Sequence, residues 1–368
     1  MRLIPLDCVR DGCFLGKTVY DNLGKPLFKK GVRLTPHLLK KIKDLNISSV
    51  FISDDYSEKE IEDVIKPELR KKSIKLVKEA FDNVERIYFS SSNSINAENK
   101  KDYFLSIQNL AEELIDNILS NKNILVTLVD IKSMDNYTYQ HSVNVAIISL
   151  VLGLGLNLPK GDLINLCVGA LLHDLGKIFI PKEILLKNGP LNKSEFNIMK
   201  EHPQKGYNYI KNIKCIHNDA KQIILQHHER VDTLGYPKGL KSHEISTLSK
   251  ITSVSDVYDA LISDRPYRKG LCPNDAFEFI LSGAGSIFDF EIVKAFSQII
   301  VPYPKGTIVK LSNGDVGIVK DTPPHFPLRP NLKIIKSENI SSIGLNITLI
   351  NELSLVISSI EYNFPKLS

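Results

Sequence analysis

Between about residue 102 and residue 300 the chain offers one helical pattern after another and no stretch with the strict alternation of a strand. KDYFLSIQNLAEELIDNILS, GDLINLCVGALLHDLGKIF, KSEFNIMKEHPQKGYNYIKNI and STLSKITSVSDVYDALIS each repeat apolar residues at helical spacing. Helices in such a series have only one another to bury their apolar stripes against, which predicts an all-α domain. The flanks read differently. Residues 1–56 hold short apolar runs separated by Asn-Leu-Gly and Lys-Lys-Gly turns, then TPHLLKKIKDLNI, then the strand-like SSVFISDD. Thr35 caps the predicted helix there and Pro36 opens it, so the unit is a small α+β domain. Residues 57–122 form a charge-rich helical connector, broken by the polar run SSSNSINAENKK at 90–101. After Pro302 and Pro304, GTIVKLSNGDVGIVKDT joins two β-branched runs through the hairpin dipeptide Asn313-Gly314, so residues 302–368 form a small β-rich domain. The expected class is mainly α: a helical bundle over 123–301 between these two flanks, a division that suits 368 residues.

Several function classes are set aside by composition. The five cysteines, Cys8, Cys13, Cys167, Cys215 and Cys272, are scattered and never form a C-x-x-C pair, which argues against a disulfide framework or a cysteine zinc site and for a reducing cytoplasm. The opening MRLIPLDCVRDGCFLG lacks the pattern of a secretory signal. VNVAIISLVLGLGLNL, at 143–158, is interrupted by Asn144, Ser149 and two glycines, and reads as a buried helix and not a membrane span. A net charge of +5 is mild, and the basic ELRKKSIKLVKEAF is a solvated helix face, so no DNA or RNA polymer is implied. Residues 1–56 lack the parallel α/β pattern of a phosphoacceptor receiver; they are expected to sense, dimerise or dock onto a partner protein. The helix around 58–89 is a candidate for signal transmission or for a homodimer contact.

The run GALLHDLGKIFIP, at 169–181, sets His173 and Asp174 in apolar surroundings. A carboxylate buried there needs a partner, a proton or a metal. Five of the nine histidines lie between 141 and 228: His141, His173, His202, His227 and His228. Asp256 joins them from KITSVSDVYDALIS, beside Ile251, Val254, Val257 and Leu261. Imidazoles and carboxylates together suit first-row divalent ions such as iron, manganese, zinc or cobalt, and such a cation is the natural partner of Asp174. Lys177 stands at i+4 from His173 and i+3 from Asp174, on the same helical side, where it can stabilise phosphate charge or protonate a leaving oxygen.

The ordered set resembles the HD-GYP branch of the HD-domain metal-dependent phosphohydrolases. It is carried by HDLGKIFIP, then HP at 202, then HHERVDTLGYPKGL, then DVYDALISDRPYR, and covers about residues 123–301. The resemblance implies hydrolysis of cyclic di-GMP to linear pGpG, with onward hydrolysis to GMP left open. It implies two divalent transition metals per chain, Fe or Mn first, with Zn, Co and Ni also compatible. His141, His173 and Asp256 would hold one ion, His202, His227 and His228 the other, and Asp174 would bridge them; two such ions activate a water and neutralise the phosphate it attacks. On the substrate side, Tyr236 of the Gly235-Tyr236-Pro237 turn would border guanine or phosphate, and Arg265 and Arg268 suit bidentate phosphate binding. Asp259, one turn after Asp256, would orient a ligating imidazole or Arg265. Two positions depart from the family pattern. Thr233 replaces a glycine before the turn, which bears on substrate fit or rate. Tyr137 stands where members with a third ion carry glutamate, which favours two ions and pGpG as product. Two other readings stay open: a catalytically weak metal-binding cyclic di-GMP sensor or interaction module, and an HD-type hydrolase of another cyclic nucleotide.

Overall fold

The computed structural model describes residues 1–20, 26–45, 47, 49–54, 64–89, 99–120, 137–187, 189–263, 270–323 and 325–362. At the N-terminus β1 (Arg2–Pro5), β2 (Phe14–Leu15) and β5 (Ser49–Ser53) form an antiparallel sheet in the order β1-β5-β2, with Leu3 opposite Phe51. A separate hairpin pairs β3 (Val19–Tyr20) with β4 (Pro26–Phe28). Helix α1 (Pro36–Asp44) starts as its sequence says: the Thr35 side chain accepts from Leu38 N at 3.3 Å and Pro36 needs no hydrogen-bond acceptor. Its residue Ile42 closes a small core with Ile4, Leu15, Leu34 and Ile52.

The bundle is built from α2 (Pro67–Phe89), α3 (Asn99–Ser120), α4 (Tyr137–Gly155), α5 (Lys160–Leu172), α6 (Lys182–Leu185), α7 (Lys193–Met199), α8 (His202–Ile210), α9 (Asn218–Gln226), α10 (Thr247–Ile262), α11 (Pro273–Ser282) and α12 (Phe290–Ile299). Helix α4 is buried on every side from Val143 to Leu152 and mostly apolar there, Asn144 and Ser149 apart, as a helix surrounded by neighbours must be. It packs on α5, α10, α2 and α12. No helix among the described residues is long and apolar enough to cross a membrane. One core runs from Val77 and Phe81 of α2, through Ile107 and Leu114 of α3, to the helices that follow.

At the C-terminus β6 (Ile308–Leu311), β7 (Val316–Asp321), β8 (Asn331–Lys336), β9 (Asn346–Thr348) and β10 (Ile357–Ile360) form an antiparallel sheet in the order β10-β6-β7-β8-β9. The Asn313-Gly314 hairpin is present: Gly314 takes φ +89°, and Asn313 Oδ1 accepts from Asp315 N at 3.1 Å. The polar run at 90–101 lies outside the described residues over 90–98.

Two helices expected as continuous are broken, and both breaks bear on the site. The helix expected over 161–179 ends at Leu172; His173 and Asp174 form a turn, and Leu175–Phe179 is a 3₁₀ helix. The cause is packing: a side chain on Gly176 would run into the carbonyl of His202, so this turn lies directly against the start of α8. The helix expected over 193–213 divides into α7 and α8 around Lys200 and Glu201. Pro203 accounts for that, because it lacks an N–H and is tolerated only in the first turn of a new helix.

Candidate metal centre

The predicted donors come from helix ends and one helix interior. His141 lies in the first turns of α4, His173 and Asp174 follow α5, His202 opens α8, His227 and His228 follow α9, and Asp256 and Asp259 face inward from α10. They converge. His141 Nε2 lies 2.9 Å from Asp256 Oδ1 and 4.0 Å from Asp174 Oδ2; His173 Nε2 lies 3.4 Å from Asp174 Oδ2 and 3.9 Å from Asp256 Oδ1. On the other side His202 Nε2 lies 3.5 Å from Asp174 Oδ1 and 3.2 Å from His227 Nε2, while His228 Nδ1 lies 3.7 Å from Asp256 Oδ2.

The outward nitrogens explain how the rings are held. His173 Nδ1 is 2.7 Å from the Ala170 carbonyl, His202 Nδ1 is 2.8 Å from that of Met199, and His227 Nδ1 is 3.1 Å from that of Ile224. His141 Nδ1 is 2.7 Å from Asp259 Oδ2. Each of these acceptors draws an Nδ1–H, so each ring turns its Nε2 to the interior, bare on His202 and His227 and facing Asp256 on His141. Two buried lone pairs 3.2 Å apart, on His202 and His227, repel unless a cation sits near them. His173 Nε2 and Asp174 Oδ1 are buried with no hydrogen-bond partner. These orphaned acceptors fit a divalent cation, which would satisfy them together.

Electrostatics give the same donor set. Burial, aided by the charge of His228, pulls His202 down to about 3, and burial likewise holds His227 well below its usual range, so both rings stay neutral. Burial by itself would raise the Asp174 carboxyl, but Lys177 and His173 outweigh it and hold the group well below the carboxylate range. Asp174 is therefore ionised and His202 and His227 are in ligand form, whereas at His141 burial is outweighed by Asp256 and Asp259, which raise it to about 9. Among the described residues three donor sets fall within 4.8 Å: Asp174, His202, His227 and His228; His141, His173 and Asp174; and His173, His227 and Asp256.

Of the remaining predicted residues, Lys177 donates to Asp174 Oδ2 at 2.6 Å and keeps 27 % of its side chain exposed, so it stands on the open side. The Tyr236 ring lies 4.7 Å from that of His228, at the same rim. Asp259 serves His141. Arg265 and Arg268 lie outside the described residues. Thr233 takes φ +66°, the left-handed region in which glycine is at ease.

Three residues escaped the sequence reading. Asn144 links Asp259 to the connector helix, and its signal was its i+3 spacing from His141. Glu229 is buried, and its carboxylate accepts from Lys238 N at 2.7 Å and Leu240 N at 3.0 Å, which ties down the loop carrying Tyr236. Lys200 lies 4.7 Å over the Phe196 ring and 5.6 Å from the Tyr236 ring; no residue pattern marked it.

Residues 116–292 match the family model described as HD domain. A cyclic di-GMP phosphodiesterase of Pseudomonas aeruginosa is 36 % identical over 62 % of this chain and 55 % of its own length. A cyclic di-GMP phosphodiesterase of Thermotoga maritima is 33 % identical over 71 % of this chain and 74 % of its own. One from Borreliella burgdorferi is 30 % identical over 69 % and 73 %. The chain thus spans just over half of the Pseudomonas protein and about three quarters of the other two. Among solved structures, the HDG"Y"P protein Bd1817 from Bdellovibrio bacteriovorus superposes with a TM-score of 0.52 at 20 % identity, over 80 % of this chain and 97 % of that one, a likeness of fold. The inward-facing cluster falls inside the matched segment, and with relatives this similar over most of their length the chain belongs to the HD-domain phosphohydrolase superfamily, in its HD-GYP branch.

Proposed function

We propose that this protein hydrolyses cyclic di-GMP to linear pGpG, water adding across one P–O3′ bond, at a centre of two divalent ions, Fe(II) or Mn(II) first, with Zn, Co and Ni compatible with the donors. One observation carries the reading: of the three donor groups among the described residues, the one with His202, His227 and His228 and the one with His141 and His173 both include Asp174, and the third joins His173, His227 and Asp256. The names of the relatives support the substrate. Ions held there would supply Lewis acidity for the water and the phosphate.

The chain's own residues supply the rest. Asp174 is the shared carboxylate, and Asp256 faces both His141 and His228. Asp259 keeps His141 in the tautomer with Nε2 inward. Lys177, partly exposed and hydrogen-bonded to Asp174, is placed to pass a proton to the leaving O3′. Tyr236, next to His228, presents a rigid aromatic face to a nucleobase, and Lys200 beside it adds a cation for phosphate. Arg265 and Arg268 are assigned to phosphate from their sequence pattern alone.

The test is anaerobic purification with metal quantification, followed by turnover of cyclic di-GMP with added Fe(II) or Mn(II), in wild type and Asp174→Ala. About two ions per chain, pGpG as product, and a loss of about a thousandfold in the variant are expected, equivalent to about 4 kcal/mol of transition-state stabilisation. Metal without turnover would favour the sensor reading. A 3′3′-cGAMP-specific phosphodiesterase of Vibrio cholerae is 34 % identical over 45 % of this chain, so 3′3′-cGAMP belongs in the substrate panel. Its faster turnover would replace cyclic di-GMP in this reading.

A further inference from the structure

A chain of hydrogen bonds leaves the metal centre and ends on a helix that the HD-domain match, residues 116–292, does not include. His141 Nδ1 meets Asp259 Oδ2 at 2.7 Å. Asp259 Oδ1 accepts from Asn144 Nδ2 at 2.9 Å, and Asn144 Oδ1 accepts from Arg70 Nη1, also at 2.9 Å. His141, Asn144 and Asp259 are all buried, and Arg70 lies in the first turns of α2.

The polarity of this chain has one consistent assignment. A guanidinium only donates, so the Asn144 atom facing it is the oxygen. The Asn144 amide nitrogen then faces Asp259, and the Asp259 carboxylate accepts from that nitrogen and from His141 Nδ1–H, with Ser263 Oγ donating over a longer 3.4 Å. The result is a His141 whose Nδ1–H is fixed on Asp259 and whose Nε2 is turned toward Asp256 and the cluster. Arg70 also places a positive charge one amide away from a buried carboxylate that has no solvent to stabilise it.

We infer that Arg70 is a positioning residue of the metal centre, acting through Asn144 and Asp259 on the orientation and tautomer of His141. The inference rests on reading the cluster as a metal site, and not on the identity of the substrate. Groups that orient a ligating imidazole set metal affinity, and their loss typically weakens it about 10- to 100-fold. Helix α2 is then part of the metal site's support, so a displacement of α2 reaches His141 without touching the ions.

The experiment is titration of metal-free protein with Mn(II) in competition with a chromogenic chelator, for wild type, Arg70→Met, Arg70→Gln, Asp259→Asn and the Arg70→Met/Asp259→Asn double variant. Arg70→Met is expected to raise the Mn(II) Kd about tenfold, and Arg70→Gln, whose amide still donates, by less. In the Asp259→Asn background the effect of Arg70→Met should shrink to within twofold, because the relay is already cut. A residue that only stabilises the fold would lower the Tm of the metal-free protein and leave these Kd values alone. Mn(II) affinity within twofold of wild type in every folded Arg70 variant overturns the inference, as do fully additive losses in the double variant. Tight Mn(II) binding by wild type without nucleotide turnover would sink the proposed reaction and leave the Arg70 inference standing. Wild type that binds no Mn(II) would overturn both.

Discussion

Lys177 touches the carboxylate shared by two donor sets and still reaches solvent, so two roles are open to it: holding Asp174 or delivering a proton. The two separate by leaving group. A ribose O3′ leaves as a strong base and needs a proton, whereas a nitrophenolate does not. Lys177→Met is therefore expected to slow cyclic di-GMP hydrolysis about 10²- to 10⁴-fold and to slow bis(p-nitrophenyl) phosphate hydrolysis far less, at unchanged metal content. Equal losses on both substrates would assign Lys177 to holding Asp174. Thr233 poses a second residue-scale question. A β-branched side chain at φ +66° costs about 1–2 kcal/mol, and glycine would return part of that as added freedom in the unfolded chain. Thr233→Gly should raise stability by up to about 1 kcal/mol, read as a small rise in Tm; a fall would show that the Thr233 side chain has a stabilising contact in the loop.

Most of the elements were legible from local chemistry, and the two exceptions have different causes. Thr35 with Pro36 and Asn313-Gly314 each fix an element through neighbours in sequence. The end of α5 was missed because it answers to a non-local neighbour, the His202 carbonyl packed against Gly176, whereas the end of α7 was marked locally by Pro203. The metal donors were found as an ordered set, yet their outer support was not, since Asn144 and Glu229 are ordinary polar residues until the fold gives them partners. Glu229 shows what such support does. Its two oxygens take one backbone N–H each from the loop after Tyr236, and Tyr236 N donates to the His228 carbonyl at 3.1 Å, so the loop is fastened on both sides of its aromatic residue. Glu229→Gln turns an amide NH2 toward one of those donors and costs about 1–3 kcal/mol of loop stability. The expected readout is a raised KM for the cyclic dinucleotide with metal content unchanged; an unchanged KM would free Tyr236 from any substrate role that depends on this loop.

For the whole molecule, the sequence separates a connector over 57–122 from a bundle over 123–301, and the packing joins them. The charged face of α2 and the polar run after it gave the impression of a detached element. The apolar stripe of the same helix, Val77, Ala80, Phe81 and Val84, repeats at i, i+3, i+4 and i+7, and every one of these residues is buried in the core that also holds α4 and α5. Helix α3 adds Phe104, Ile107 and Leu114 to that core. A fully buried side chain of this kind contributes about 1.5–3 kcal/mol, so Val77, Phe81, Val84, Phe104, Ile107 and Leu114 together contribute about 9–18 kcal/mol. That is comparable to the net stability of about 5–15 kcal/mol typical of a folded protein. A fragment of residues 123–301 is therefore expected to lack a cooperative thermal transition and to expose apolar surface, whereas a fragment of residues 64–301 should unfold cooperatively and bind Mn(II). Cooperative unfolding of the shorter fragment would mean that α2 and α3 cover a core able to close without them, and would leave Arg70 as a link from α2 to the chemistry and not as part of a shared core.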